Sequence, residues 1–187
     1  GAALSGVHLG HRRTHDLDLF VHDAEDHRRL VAALPEVARI AEVAIAIVRD
    51  GGGFVRARID LPDGGVVELD LVHDSLPDLF APGEPVEGVW VESLADLRAS
   101  KITCLLSRSE PRDLVGVLFL ERAGFRVEDD LPLALRKDAG IDPAILAWLL
   151  ESFPVLPLPL MLVPLTVDAL RAFRDDLRDR LRALAVP

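Results

Sequence analysis

Apolar residues change their spacing along the chain, and those changes mark its elements. Over 16–20, Asp16 and Asp18 alternate with Leu17 and Leu19, which predicts a strand with both carboxylates on one face and both leucines turned to a core. Residues 24–34 read as a helix, with Asp23 as its cap, Asp26 three positions later and Leu30, Val31 and Leu34 as the inner stripe. Pro35 opens a second short helical turn to about Ile40. Residues 43–48 are apolar on both faces, the pattern of a central strand. Residues 54–61 alternate cleanly, with Val55, Ala57, Ile59 and Leu61 inward, and 66–72 form a third strand. Two glycine-rich turns, Asp50–Gly53 and Pro62–Gly65, join these three strands into a meander.

Helical spacing takes over in the second half. Residues 73–88 contain three prolines and two glycines and read as a long loop, followed by a short edge strand at Val89–Val91. Ser93 caps a helix running to about Ser107, with Asp96 in the box position. Leu94, Leu97, Cys104 and Leu105 form its core face. Lys101 falls on that same face, so its ammonium must either snorkel out or meet an anion. Pro111 sits in the first turn of the next helix, which ends at Gly124. Asp142-Pro143 opens another, with Ile145, Leu146, Leu149 and Leu150 as its stripe. Residues 154–164 form a packed, extended connector, and Thr166 or Asp168 starts a last helix lined by Leu170, Phe173, Leu177, Leu181 and Leu184. Ahead of the first strand, Ala3, Leu4 and Val7 are spaced as in a short helix. The fold class is α+β, a mixed or antiparallel sheet flanked by helices. The expected organisation is a core over 1–92 and a helical part over 93–187 packed on the same core.

The 187 residues carry 31 acidic against 21 basic side chains, a net charge of −10. That excludes a broadly basic nucleic-acid-binding surface and leaves room for a local groove. Cys104 is the lone cysteine, so no internal disulfide forms, in keeping with a reducing cytoplasm. Its apolar helical setting suggests a buried thiol. The most apolar stretch, 153–164, is broken by four prolines and is too short to span a bilayer. No signal peptide is evident, though the chain starts at Gly1 without methionine, so residues are expected upstream. A soluble, cytoplasmic protein with no membrane partner is the expectation.

Chemistry concentrates near the N-terminus. Two carboxylates as close as Asp16 and Asp18 repel unless a cation lies between them, and magnesium with substrate phosphates is the usual partner. Glu68 and Asp70 repeat the arrangement on the third strand, opposite Val67, Leu69 and Leu71. A solvated strand edge would give the same pattern. A glycine leading into a short helix, as at Gly1, exposes amides suited to phosphate oxygens. His8, His11 and His15 would share a face if the first helix ran on, a possible three-histidine zinc site, but Gly10 argues that it stops. No Ser–His–Asp or Cys–His arrangement stands out.

Gly1-Ala-Ala-Leu4, then Leu9-Gly10-His11-Arg12, then Thr14-His-Asp16-Leu-Asp18-Leu-Phe20 resembles the start of the AbiEii/AbiGii-type toxin nucleotidyltransferases, a family of the DNA polymerase β-like superfamily. Gly1 would be the second glycine of that family's motif. Leu94-Ala-Asp-Leu-Arg-Ala-Ser-Lys101, then Arg108, then Arg112-Asp113-Leu114 resembles a later family motif. The family often has a further aspartate near position 116, where this chain has Gly116. The resemblance implies a magnesium-dependent nucleotidyltransferase that moves NMP from an NTP to an acceptor hydroxyl. Asp16, Asp18 and Asp70 would hold two magnesium ions, with Glu68 the rival for the third place and Asp70 also the natural general base. Gly1 and the amides after it would hold the triphosphate, Arg12 and Thr14 would contact phosphate or acceptor, and Lys101 would offset developing charge with Arg108 and Asp113 in support. It further implies the toxin of a bacterial toxin–antitoxin or phage-defence pair, acting on RNA such as tRNA, with a cognate antitoxin. Two other functions fit the same residues: a nucleotidyltransferase modifying a small molecule such as an antibiotic, and a non-catalytic nucleotide-binding or antitoxin-like module.

Overall fold

Alternation of apolar residues with period two builds the sheet, and the computed structural model describes it within residues 1–74 and 78–185. The chain divides into two units, Gly1–Ala2 with Thr14–Pro77, and Ala3–Arg13 with Asp78–Pro187. In the first, β1 (Asp16–Val21), α1 (Ala24–Ala41), β2 (Ala44–Gly51), β3 (Phe54–Asp60) and β4 (Val66–His73) follow in order. The sheet runs β1-β4-β3-β2, with β1 parallel to β4 and the other pairings antiparallel. The meander therefore forms as its two turns predict, and Gly52 and Gly53 supply the positive φ that the first turn requires. The mixed α+β class is the one expected.

One helix covers one face of this sheet. Leu34, Val55, Ala57, Leu69 and Leu71 form the buried cluster, with Leu19, Val31, Ile45 and Ile59 packed against it. His27 is buried too, bonded through Nε2 to the Leu71 carbonyl at 3.2 Å.

Several expectations change here. α1 runs unbroken through Pro35, which is exposed, so the helix continues at the loss of the one intrahelical bond that a proline cannot donate. Its inner line is His27, Val31 and Leu34, spaced four and three apart, which leaves Leu30 exposed. β2 is an edge strand and not a central one, and Ile47 and Val48 are exposed. An apolar run shows which residues tolerate burial, but it does not say whether a second layer exists to bury them. Leu17 is exposed for a related reason, since β1 is the opposite edge.

The second unit is helical: α2 (Leu94–Ser107), α3 (Pro111–Arg122), α4 (Val127–Lys137), α5 (Pro143–Glu151) and α6 (Val167–Leu184). Ser93 Oγ accepts from the Asp96 amide, Asp142 caps α5 and Thr166 caps α6. Phe153, Leu114, Leu146, Leu150, Leu170, Leu177 and Leu181 are fully enclosed in its main cluster. α4 gave no clear sequence signal, because Pro132 and three acids in its first turn obscure the periodicity of Val127, Asp130 and Ala134. Ile145 and Leu184 are exposed. α5 is apolar nearly all round, so its buried line of Leu146, Ala147 and Leu150 could not be read from spacing alone.

Ala3–His8 winds as a wide turn in which the Leu9 amide reaches the Leu4 carbonyl. That five-residue closure brings Leu4 and Leu9 to one side and leaves Val7 outside. The segment after it is laced to the proline-rich connector: Leu162 and Val163 amides bond the His11 carbonyl, and the Arg13 amide bonds the Leu160 carbonyl. Val89–Val91 forms no strand; Val86 and Val89 close a two-residue turn instead. Ser75, Leu76 and Pro77, within the loop expected over 73–88, lie outside the described residues. Among the described residues no helix is long and apolar enough to cross a membrane.

Because Val48 is an exposed apolar residue on an open edge, Val48→Lys should reduce concentration-dependent aggregation while changing stability by less than about 0.5 kcal/mol. Light scattering and a thermal melt on the same sample check both halves.

Candidate functional site

Pairing between β1 and β4 decides what the aspartates face. The register sets Asp16 opposite Glu68 and Asp18 opposite Asp70, and in a parallel pair such partners point to the same side. Leu69 and Leu71 are buried toward α1, so the four carboxylates lie on the other sheet face. The Glu68 amide bonds the His15 carbonyl at 2.9 Å and starts the ladder just ahead of the first aspartate.

Each carboxylate has its own surroundings. Thr14 Oγ1 donates to Asp16 Oδ1. A Cβ on Gly1 would fall 2.5 Å from Asp18 Oδ2, so residue 1 can approach Asp18 this closely because it has no side chain. Asp70 is buried and receives both forks of Arg56, Nε to Oδ1 at 2.7 Å and Nη2 to Oδ2 at 2.7 Å. Glu68 is more open, with its Oε2 3.8 Å from Arg56 Nη1. The hydrogen bonds to Asp70, and then the charges of Asp70, Glu68 and Asp18, push the Arg56 pKa further above its already high value against the effect of burial. Arg56 also lies 5.7 Å from the centre of the Phe54 ring, which Arg49 approaches at 5.4 Å.

These oxygens are the right donors for a hard divalent ion. Asp16, Asp18 and Asp70 are not gathered within 4.8 Å of one another, and a guanidinium already neutralises the third of them. Sequence reasoning missed Arg56, although the signal was present. Period two puts it opposite Val55 and Ala57, and the meander sets β3 against β4, where Arg56 pairs with Asp70.

The second unit holds the basic residues that the sequence singled out, Arg12, Lys101 and Arg108. Lys101, 5% exposed, meets an anion: its Nζ lies 2.7 Å from Asp113 Oδ1. Arg108 shares that carboxylate, with Nε 2.9 Å from Oδ2 and Nη2 3.1 Å from Oδ1. Burial alone would raise the Asp113 pKa; the Lys101 charge and the hydrogen bonds from Arg108 and Lys101 outweigh it, and the net displacement is downward. Gly116 lies one turn on from Asp113, and a Cβ there would sit 3.3 Å from Lys101 Cδ. Its missing side chain gives the lysine stem its path.

Arg12 is buried, donates from Nη1 to the Arg13 carbonyl at 3.2 Å and bridges to Met161. The three histidines form no metal group. His8 and His15 are exposed, while the His11 ring is 1% exposed, stacked on Phe119 at 4.7 Å, and neither ring nitrogen has a hydrogen-bond partner. Burial, with the Arg12 and Lys101 charges, lowers its pKa to about 4. Among the described residues Asp78, Glu92 and Asp96 do crowd within 4.8 Å, but Lys137 Nζ is already bonded there, 2.8 Å from Glu92 and 3.0 Å from Asp96.

A family model described as nucleotidyl transferase AbiEii toxin, type IV toxin–antitoxin system, matches residues 1–186. The chain belongs to the AbiEii family. Membership makes it a nucleotidyltransferase, the toxin of a type IV toxin–antitoxin system. No curated protein and no solved structure matches it. AbiEii membership also agrees with the resemblance carried by the Asp16–Asp18 and Lys101–Asp113 motifs.

Two outcomes follow from the charges. Asp113→Asn should destabilise the protein by about 3–5 kcal/mol at pH 7, because it leaves the Lys101 ammonium buried without its anion. Since the folded Asp113 pKa lies below its ordinary value, the contribution is complete at neutral pH and fades as pH falls below 3.8 toward the folded value. Chemical denaturation of both forms across pH 2–7 should show the two stabilities converging at the acid end.

For His11 the folded pKa is depressed, so the unfolded chain takes up the proton first. Wild-type stability should decline as pH falls from 6.5 toward about 4. His11→Phe should remove that part of the decline, worth up to about 3 kcal/mol. Parallel melts at pH 7 and pH 4.5 measure it.

Proposed function

We propose that this AbiEii protein transfers a nucleoside monophosphate from an NTP to an acceptor hydroxyl on RNA, with tRNA the first acceptor class to try, in a magnesium-dependent reaction. The observation that carries this reading is the shared face of Asp16, Asp18 and Asp70, set in register by the parallel pairing of β1 and β4. These three carboxylates would hold magnesium, as two ions. The chemistry magnesium supplies when bound is neutralisation of triphosphate charge and acidification of the attacking hydroxyl.

The chain's own residues do the rest. Gly1 and the amides that follow it cradle phosphate oxygens. Thr14 orients Asp16 through its hydroxyl. Asp70 takes the proton as the acceptor oxygen bonds the α-phosphorus and pyrophosphate leaves. Lys101 and Arg108 share one carboxylate, so the trio keeps a surplus positive charge that suits a phosphate-bearing ligand. Arg12 adds a further cation in the same unit. The RNA half of the reading draws on Arg49, Arg56 and Arg58 of β2 and β3, cations suited to a polyanion beside the carboxylates.

The deciding experiment supplies each α-labelled NTP with magnesium and total RNA to the wild type, Asp16→Ala and Asp18→Ala. Label should enter RNA from at least one NTP and fall by about 10²–10³ in both variants. Label in protein alone would replace RNA with a protein acceptor. Absence of transfer from every NTP, with no magnesium-dependent nucleotide binding, would overturn the enzyme mechanism proposed for these residues.

A further inference from the structure

Asp70 is assigned a metal, yet a cation is already on it. Arg56 binds it through both nitrogens of its fork at 2.7 Å, the geometry that makes guanidinium–carboxylate pairs strong and directional. A divalent ion and a guanidinium compete for the same two oxygens. They also repel each other, so the ion binds Asp70 less tightly while Arg56 keeps this pose.

Arg56 has somewhere else to go. Its Nη1 is 3.8 Å from Glu68 Oε2, on the same sheet face and two residues before Asp70. The Phe54 ring lies 5.7 Å from its guanidinium carbon, within cation–π range. Its side chain is 40% exposed, so a short swing stays partly solvated. Asp70 has no such freedom, with 9% of its side chain exposed, so the arginine is the partner able to move.

We infer that Arg56 is an internal counter-ion for the carboxylate set: it occupies Asp70 when no metal is bound, is displaced toward Glu68 and Phe54 by the incoming divalent cation, and is thereby released as a guanidinium for a phosphate oxygen. The inference rests on the carboxylates being the metal site. It adds that metal affinity is held down by an arginine and that metal arrival uncovers an anion-binding group. Arg56 is thus a positioning residue for Asp70. Glu68, the rival third carboxylate, has a different part, as the resting place of the displaced arginine.

The test is manganese binding to the full chain without nucleotide, followed by electron paramagnetic resonance, which needs no turnover. Arg56→Gln removes the competing charge and should bind Mn2+ about five- to tenfold more tightly than wild type. Arg56→Lys keeps the charge but loses the fork, so it should bind Mn2+ more tightly than wild type and less tightly than Arg56→Gln, a graded order that a packing defect would not give. Asp70→Asn should weaken binding, and Arg56→Gln on that background should bring no gain, since the arginine acts through Asp70. Unchanged or weaker Mn2+ binding by Arg56→Gln, while wild type binds the ion and transfers label, overturns the counter-ion role and leaves the metal site standing. No Mn2+ binding by any form, with or without NTP, overturns the metal site and this inference with it.

Discussion

The parallel pairing of β1 with β4 is the constraint on which the candidate site depends. It brings Asp18 beside Asp70, and Asp16 beside Glu68, from opposite ends of the first unit's sequence. A one-residue slip would turn every side chain of β1 over and send the aspartates toward α1. Leu19, Leu69 and Leu71 resist that slip because their burial under α1 is compatible with one register. The hydrophobic layer on one side of the sheet therefore fixes the carboxylate geometry on the other.

Much of this was legible because period two is a local signal. The strands, the meander, the Asp23, Ser93 and Asp142 caps and the shared face of the aspartates all follow from patterns a few residues long. The features that escaped depend on what covers a segment. Residues 43–48 are as apolar as a central strand, yet the β2 strand they build lies on an edge, and nothing within the run says so. Pro35 looks like a boundary, but a proline on a solvated helix face costs one hydrogen bond and the helix continues.

At the candidate site the limit was different. Lys101 on an apolar face required an anion, and Asp113 is that anion, so the question was posed by the sequence and answered by the fold. His11 had no comparable signal. A histidine between glycine and arginine suggests a ligand or a surface residue, whereas here the ring is enclosed against Phe119. Arg56 became visible once β3 and β4 were aligned, because its partner sits on the neighbouring strand and not in its own sequence neighbourhood.

The same strand pairing has a consequence for how the protein comes into being. Asp18 and Asp70 stand fifty-two positions apart, and their alignment closes a long loop whose entropy opposes it until the meander has formed. During synthesis the Asp-Leu-Asp strand is made before β4 and cannot pair with it until β4 follows. A chain ending before Val66 thus carries the Asp16–Asp18 pair without the strand that sets Asp70 beside it.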